Sequence, residues 1–132
     1  MRRRNKKFYL PPFVPLTWKI LNNQAYKDIT FAAAKALPYF LGKVKKSYGD
    51  YTRYLEEFHF SYKEARSYGF ATGTFANVIN SLIEKGFIDP VDKGGLKCFG
   101  KGCNKFRLSK RWENYGTKDF QKVNWKNFSA DE

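Results

Sequence analysis

Two short segments hold nearly all of the net positive charge of this 132-residue chain, which is +13 at neutral pH. Residues 1–7 contribute +5, residues 93–111 contribute +7, and neither segment contains an acidic residue. All other positions together contribute only +1. Such clustering favours a polyanionic partner, because cations that bind phosphates release condensed counterions. It therefore predicts a nucleic acid as the partner, in preference to an anionic membrane.

Hydroxyl and amide side chains recur between residues 72 and 81, where they could hydrogen-bond to the edges of DNA bases. An asparagine can form two hydrogen bonds with adenine, which makes Asn77 the strongest candidate for a base reader. The alternative is that these side chains form a solvated polar face. No arginine lies between residues 72 and 85, so little recognition of guanine is expected. The candidate base-contacting residues are Thr72, Thr74, Asn77, Asn80 and Ser81.

Lysine and arginine side chains elsewhere could contact phosphates or enter a minor groove, which positions a protein without reading sequence. The first residues resemble the basic arms that enter minor grooves, although a solubilising tail would look the same. The candidates for phosphate or minor-groove contacts are Lys63, Arg66, Lys93, Lys97, Lys101, Lys105, Arg107, Arg2, Arg3 and Arg4.

Catalytic and metal-binding patterns are weak, and we expect a protein that is not an enzyme and needs no cofactor. The acidic residues are scattered, whereas a nuclease requires converging carboxylates for its metals. Cys98, Cys103 and the single His59 are too few ligands for zinc within one chain. The two cysteines are expected to be reduced thiols, with a cross-strand disulfide as the alternative.

The hydropathy pattern predicts a cytoplasmic protein, associated with the nucleoid when it binds DNA, and no membrane partner. No apolar run approaches the ~18 residues of a transmembrane helix. The apolar stretch at residues 8–16 is interrupted by Pro11, Pro12 and Pro15, and no small-residue cleavage site follows it.

Two helices in the middle of the chain would carry the candidate base readers. Ser61 and Glu64 match a capping box, which predicts a short helix that ends near Gly69. Thr72 is the expected N-cap of a second helix that Gly86 closes. The apolar face of this second helix is predicted to contain Phe75, Val78, Ile79, Leu82 and Ile83.

The spacing between these helices matches a helix-turn-helix at four positions. Ala65 is small, as required where two helices cross, and Gly69 tolerates the positive φ of the turn. Phe75 and Val78, six and nine residues after the glycine, would face the first helix. The alternative is a simple αα-hairpin. Residues 87–91 and 106–109 read as strands around a Gly- and Lys-rich loop, which favours the helix-turn-helix followed by a β-hairpin.

The preceding residues should complete the core. A short helix is expected at residues 16–21, with Trp18 as a core anchor, and a longer one from Thr30 that Pro38 kinks. A loop with a helical turn is expected at residues 47–57, and a short strand at 58–60. The apolar stripe of the longer helix is predicted to comprise Phe31, Ala34, Leu37, Leu41, Val44 and Tyr48.

The expected organisation has three parts. Residues 1–12 form a flexible basic arm, residues 13–111 the globular domain, and residues 112–132 an extension. This extension is rich in aromatic residues, so it should pack on the domain or on a second subunit. A homodimer is therefore one possible state.

The order of elements predicts an α+β fold, mainly α, with a three-helix core and a β-hairpin wing. The runs FVPLTWKIL, FSYKEARSYGFATGTFANVINSLIEKGFIDPVDKGG and NKFRLSKRWENYGT resemble small winged helix-turn-helix proteins of bacterial, phage and plasmid mobile elements. Those are similar in fold to replication-initiator domains and to winged-helix transcription regulators. The resemblance covers residues 13–120 and implies double-stranded DNA as the partner, in a role in transcription regulation or in replication and maintenance.

Two other functions fit the same sequence. An RNA-binding or ribosome-associated protein would use its basic segments together with exposed aromatic residues for base stacking. A winged helix could also serve as a protein-interaction module, whose binding would survive high salt. The tyrosines considered for stacking on RNA bases are Tyr51, Tyr54 and Tyr62.

Overall fold

A computed structural model describes residues 11–93 and 104–128 of the chain. Within these ranges the fold is α+β, with five α-helices and a three-stranded antiparallel sheet. In neither range is a helix long and apolar enough to cross a membrane. The helices are α1 (Trp18–Leu21), α2 (Gln24–Asp28), α3 (Phe31–Leu41), α4 (Tyr62–Ser67) and α5 (Thr72–Lys85), and the strands are β1 (Phe58–His59), β2 (Ile88–Asp92) and β3 (Lys105–Leu108).

The short helix α1 forms as expected, but the placement of Trp18 in the core is wrong. Trp18 is 76% exposed, and Ile20 is the buried residue of this helix. A helix of four residues presents only a narrow face to the core, and the cap at Thr17 turns Ile20 onto that face. Helix α2 was not predicted. It begins after Asn23, whose side chain accepts a hydrogen bond from the Ala25 N–H.

Helix α3 begins after Thr30, as predicted, and the predicted apolar stripe is buried at Leu37, Leu41 and Val44 but not at its ends. Phe31 is 96% exposed and Tyr48 is 60% exposed, so the predicted apolar stripe is wrong at both ends. Small residues let the helix lie close to α5, against which it packs. Pro38 lies inside the helix, which continues to Leu41. The residues that α3 buries are Ala33, Ala36, Leu37, Phe40 and Leu41.

The sheet brings an early strand beside the predicted hairpin. Its order is β1-β3-β2, and both pairings are antiparallel. Phe58 of β1 pairs with Phe106 of β3, and Ile88 of β2 pairs with Leu108. Because β1 immediately precedes α4, this pairing ties the start of the α4–α5 unit to the sheet.

Phenylalanine rings form the centre of the core and account for part of the 19% aromatic content. Phe40, Phe60, Phe75 and Phe106 are fully buried. The ring of Phe60 lies 4.6 Å from that of Phe40 and 4.9 Å from that of Phe75, measured between centroids. The Phe40 and Phe106 rings lie 5.8 Å apart, so together these contacts join α3, α5 and β3 in one apolar cluster, which fixes the position of α5.

The aromatic extension after β3 packs on this same core. Trp112 and Trp125, each in a short 3₁₀ turn, are 6% and 7% exposed. The Trp125 ring lies 5.8 Å from the ring of Phe106, and its turn packs against α5. The expectation that this segment packs on the domain is therefore confirmed within one chain.

Candidate nucleic-acid interface

The α4–turn–α5 unit has the environments that the helix-turn-helix spacing requires. Ala65, Phe75 and Val78 are fully buried, and α4 packs against α5. Gly69 has φ +99°, a left-handed conformation that favours glycine. The N–H of Phe70 donates to the carbonyl of Ala65 at 3.0 Å, which closes the end of α4. The burial of Ala65, Phe75 and Val78 and the positive φ of Gly69 are therefore as the sequence predicted.

The helix caps agree with the sequence only in part. The Ser61 hydroxyl caps α4 by accepting from the Glu64 N–H at 3.0 Å, as predicted. The Glu64 carboxylate does not complete the capping box, because it pairs with the ammonium of Lys43. Thr72 is not the N-cap of α5. It is the first helical residue, and the cap position is Ala71, which makes no side-chain hydrogen bond.

The buried face of α5 contains all five predicted apolar residues, and the opposite face is polar. Thr72, Thr74 and Asn77 are exposed in the first half of the helix. Side chains three or four residues apart share a helix face, so Thr74 and Asn77 can meet one partner together. These three residues are the candidate base readers that the structure leaves accessible.

Ser81 does not belong to this accessible set, and its selection as a base reader is corrected. It is 8% exposed, and its hydroxyl accepts from the Thr30 N–H at 3.4 Å, so it serves the α3–α5 contact. Asn80 is only partly exposed. Its Oδ1 is buried and has no hydrogen-bond partner within residues 11–93 and 104–128.

Three exposed cations lie on α3 and α4, and two of them have contacts near the start of α5. Lys63 and Arg66 are exposed on α4, and neither forms an ion pair with any residue that the structure describes. Arg66 reaches the first turn of α5, where its Nη1 lies 3.4 Å from Oγ1 of Thr72. Lys35, which the sequence analysis did not select, lies over the Phe70 ring at 5.6 Å. Its position depends on how α3 crosses α5, for which no local signal exists.

Glu64 is the only acidic residue of α4, and its charge is balanced from α3. Lys43 pairs with its carboxylate and also lies 4.8 Å from the centre of the Phe60 ring. The Tyr68 hydroxyl lies 3.3 Å from the same carboxylate. Partial burial, followed by the charge of Glu64, raises the pKa of Tyr68 above its usual value. The Tyr68 hydroxyl donates to the carboxylate, and the ion pair with Lys43 balances the charge of Glu64.

The hairpin cations, in contrast, already have partners within the protein. Lys105 and Arg107 both pair with Glu57, at N···O distances of 3.6 and 3.4 Å. The Lys93 ammonium donates to the carbonyl of Trp125 at 2.9 Å and lies over its ring. These three candidates for phosphate contacts would have to exchange existing interactions for new ones.

Several residues that the sequence analysis considered as phosphate contacts or as thiols lie outside the ranges that the structure describes. They are Arg2, Arg3, Arg4, Lys97, Lys101, Cys98 and Cys103. Within the described ranges, no group of three or more His, Cys, Asp or Glu side chains is placed to hold a metal ion.

The tyrosines considered for RNA stacking differ in exposure. Tyr51 is 80% exposed, whereas Tyr54 and Tyr62 are partly buried. Tyr62 packs its edge against the Phe75 ring. Burial raises the pKa of its hydroxyl, an effect that a hydrogen bond with Asn104 partly offsets. Only one of the three rings is thus freely accessible for stacking.

Comparisons of the chain with protein-family models, with curated proteins and with solved structures gave no match.

Proposed function

We propose that this chain is a sequence-preferring double-stranded DNA-binding protein that acts without enzymatic activity, as a transcription regulator or as a replication or maintenance factor. In this proposal α4 and α5 form the helix-turn-helix of a winged helix, and α5 lies in the major groove. The β2–β3 hairpin is the wing. The protein works in the cytoplasm, and a second copy could bind the other half of a symmetric site.

The observation that carries this proposal is the surface at the start of α5. Thr72, Thr74 and Asn77 are exposed there, and Arg66 contacts Thr72. Lys63 is exposed on the same helix as Arg66, and neither cation forms an ion pair within residues 11–93 and 104–128. Polar side chains that can read base edges thus adjoin cations that can bind the flanking phosphates. The positive end of the helix dipole adds to the attraction for phosphates at the same place.

The wing and the arm would extend the interface. Residues Lys93, Lys97, Lys101, Lys105 and Arg107 would contact phosphates or a minor groove, and the basic arm would enter a neighbouring minor groove. Of these, Lys105 and Arg107 lie on β3, whose position is set by pairing with β1 and β2. To bind phosphates, both cations would have to give up their ion pairs with Glu57, so part of the affinity for DNA would depend on this acid.

Fluorescence anisotropy with a random duplex DNA, a single-stranded DNA and a hairpin RNA, each across a salt series, tests the proposal. We expect tighter binding to the duplex and a log–log salt slope of about −0.9 for each phosphate neutralised. Preference for RNA would instead favour an RNA-binding protein. If none of the three nucleic acids binds in a salt-sensitive manner, the proposal of DNA binding is overturned, and a protein-interaction module becomes the better account.

Asn77→Ala provides a sharper test, with Ser81→Ala as its matched control on the same helix. Loss of the Asn77 amide should relax sequence preference at one or two base positions, worth about 1–3 kcal/mol of discrimination. Ser81→Ala should leave the preference unchanged, because Ser81 is buried against α3. Selection of binding sites from a random library measures both. An unchanged preference in Asn77→Ala would remove Asn77 as a base reader.

A further inference from the structure

A cavity of about 220 Å³ lies beside the 3₁₀ turn Tyr51–Leu55, bounded also by α1 and by the segment that follows β3. Arg53, which comes from this turn, is part of its lining. The charged side chains around it are Lys19, Arg53, Lys110 and Glu113. Lys19 and Glu113 pair with each other at 3.3 Å, so their charges cancel. Arg53 and Lys110 therefore give the cavity lining a net charge of two positive units.

Arg53 is an unusual residue because it is buried without a counterion. It is only 3% exposed, and its Nε has no hydrogen-bond partner in the part of the chain that the structure describes. No acidic side chain within residues 11–93 and 104–128 pairs with it. Its guanidinium instead lies 5.4 Å from the ring centres of both Tyr48 and Tyr54. A buried cation without a partner is costly, so this arrangement indicates that an anion completes it.

Other donors line the same space. The hydroxyls of Thr17 and Ser109 accept hydrogen bonds from backbone N–H groups, and each keeps its own proton to donate. Lys110 lies over the ring of Tyr54 at 5.4 Å and adds its ammonium group. A guanidinium, an ammonium and hydroxyls together suit the oxygens of a phosphate, whose geometry arginine matches well.

We propose that this cavity binds a small phosphate-bearing anion, either inorganic phosphate or the phosphate group of a small phosphomonoester. A dianion would balance the two positive charges of the lining. The volume lies below the roughly 300 Å³ at which sites for drug-sized ligands begin. This size favours a small ligand and argues against a nucleic-acid strand inside the cavity.

The cavity is a different site from the candidate DNA interface. Its lining includes Phe87, which follows the last turn of α5, whereas Arg66 contacts the first turn. A helix of 14 residues is about 20 Å long, so the two sites lie at opposite ends of α5. The proposal therefore does not depend on DNA binding, and its test contains no nucleic acid.

The test is calorimetric titration of the full-length chain with inorganic phosphate at pH 7.5 and fixed ionic strength, supported by thermal melting. Glycerol phosphate and acetate serve as further probes. We expect saturable binding of phosphate and a rise in Tm, with acetate at least tenfold weaker. Glycerol phosphate that binds as tightly as phosphate assigns the site to phosphomonoesters, and weaker binding assigns it to the free ion. The absence of saturable phosphate binding would overturn the proposal.

Arg53→Met should weaken phosphate binding at least tenfold. The same change should keep or raise Tm in phosphate-free buffer, because it removes a buried charge that lacks a counterion. Lys110→Gln, at an exposed position, should weaken binding severalfold and provides the test if Arg53→Met does not fold. Lys126→Gln removes an exposed charge outside the cavity lining and should bind phosphate like the unaltered chain. Equal phosphate binding by Lys110→Gln, Arg53→Met and the unaltered chain would contradict the proposal.

Discussion

The two ends of α5 differ in the charge and the space that they leave free. At the first end, Arg66 lies beside Thr72, and among the described residues no acidic side chain pairs with Arg66 or with Lys63 of the same helix. The position that a Cβ of Gly69 would occupy has no other atom within 4 Å. At the far end, Gly86 lies so close to the next segment that a Cβ would fall 2.5 Å from the backbone nitrogen of Trp112. One end is therefore open to a partner, and the other is tied into the fold.

Arg111, near the far end of α5, shows how a single cation can be fully engaged within the fold. Its Nε donates to the Asp89 carboxylate at 2.6 Å, and its other nitrogens donate to the carbonyls of Ile83, Ile88 and Gln121. This residue belongs to the most basic segment of the sequence, whereas Lys63 and Arg66 belong to a segment of almost balanced charge. Charge density along the sequence thus does not measure the charge that a partner can reach. Substitutions can test whether cations engaged within the fold differ in this way from cations that remain exposed.

The largest effect is expected for Arg111→Ala, because its side chain is 10% exposed and joins α5, β2 and the extension. Loss of the ion pair and of three hydrogen bonds to carbonyls should lower the free energy of unfolding by about 3 kcal/mol. Urea denaturation measures the change. Arg107→Ala is the matched control, since its pair with Glu57 is exposed and should be worth less than about 0.5 kcal/mol. Equal losses of unfolding free energy in both variants would contradict the inference that Arg111 is engaged in the fold more strongly than Arg107.

The two glycines at the ends of α5 provide a second test, since their φ angles are similar, +99° and +93°. Gly69→Ala should cost about 1 kcal/mol, from the left-handed conformation alone. Gly86→Ala should cost at least about 1 kcal/mol more, because backbone atoms of Arg111 and Trp112 would also have to move. Thermal and urea unfolding compare them. A greater loss in Gly69→Ala would show that the first end is the more constrained.

Lys63→Gln and Arg66→Gln should weaken binding to every duplex sequence by roughly fivefold each, and should reduce the salt slope by about 0.9 each. Their effect on stability should be below about 0.5 kcal/mol, because both side chains are exposed. Anisotropy in a salt series measures the slope. Lys126→Gln, on the extension, is the control with the same change in charge. A slope that falls equally in the control would mean that only total charge matters.

The smallest effect is expected for Glu57→Gln, which frees Lys105 and Arg107 from their shared acid. Duplex affinity should rise by up to about threefold, with a steeper salt slope, because more cations become available for phosphates. Asp119→Asn provides the control for the loss of an exposed acid elsewhere. If Glu57→Gln binds no better than this control, the paired hairpin cations take no part in the interface.

Local signals account for the parts of the fold and of the candidate site that the sequence predicted correctly. Ser61, Gly69 and Gly86 mark helix ends through their own side chain or backbone freedom, so their roles are independent of distant residues. The buried face of α5 follows from a period of 3.6 residues that runs through the whole helix. Thr74 and Asn77 are exposed because they lie opposite that face.

Tertiary contacts decided the rest. Trp18 and Phe31 are apolar at positions where the core lies on the other side of the helix, and Ser81 is polar at a position that α3 covers. The sequence alone determined where α4 begins, where α4 and α5 end and which face of α5 is buried, because those are short-range effects of capping and periodicity. Only the packing of α3 and the extension decided which cations remain free, because an ion pair such as Arg111–Asp89 joins residues that folding alone brings together.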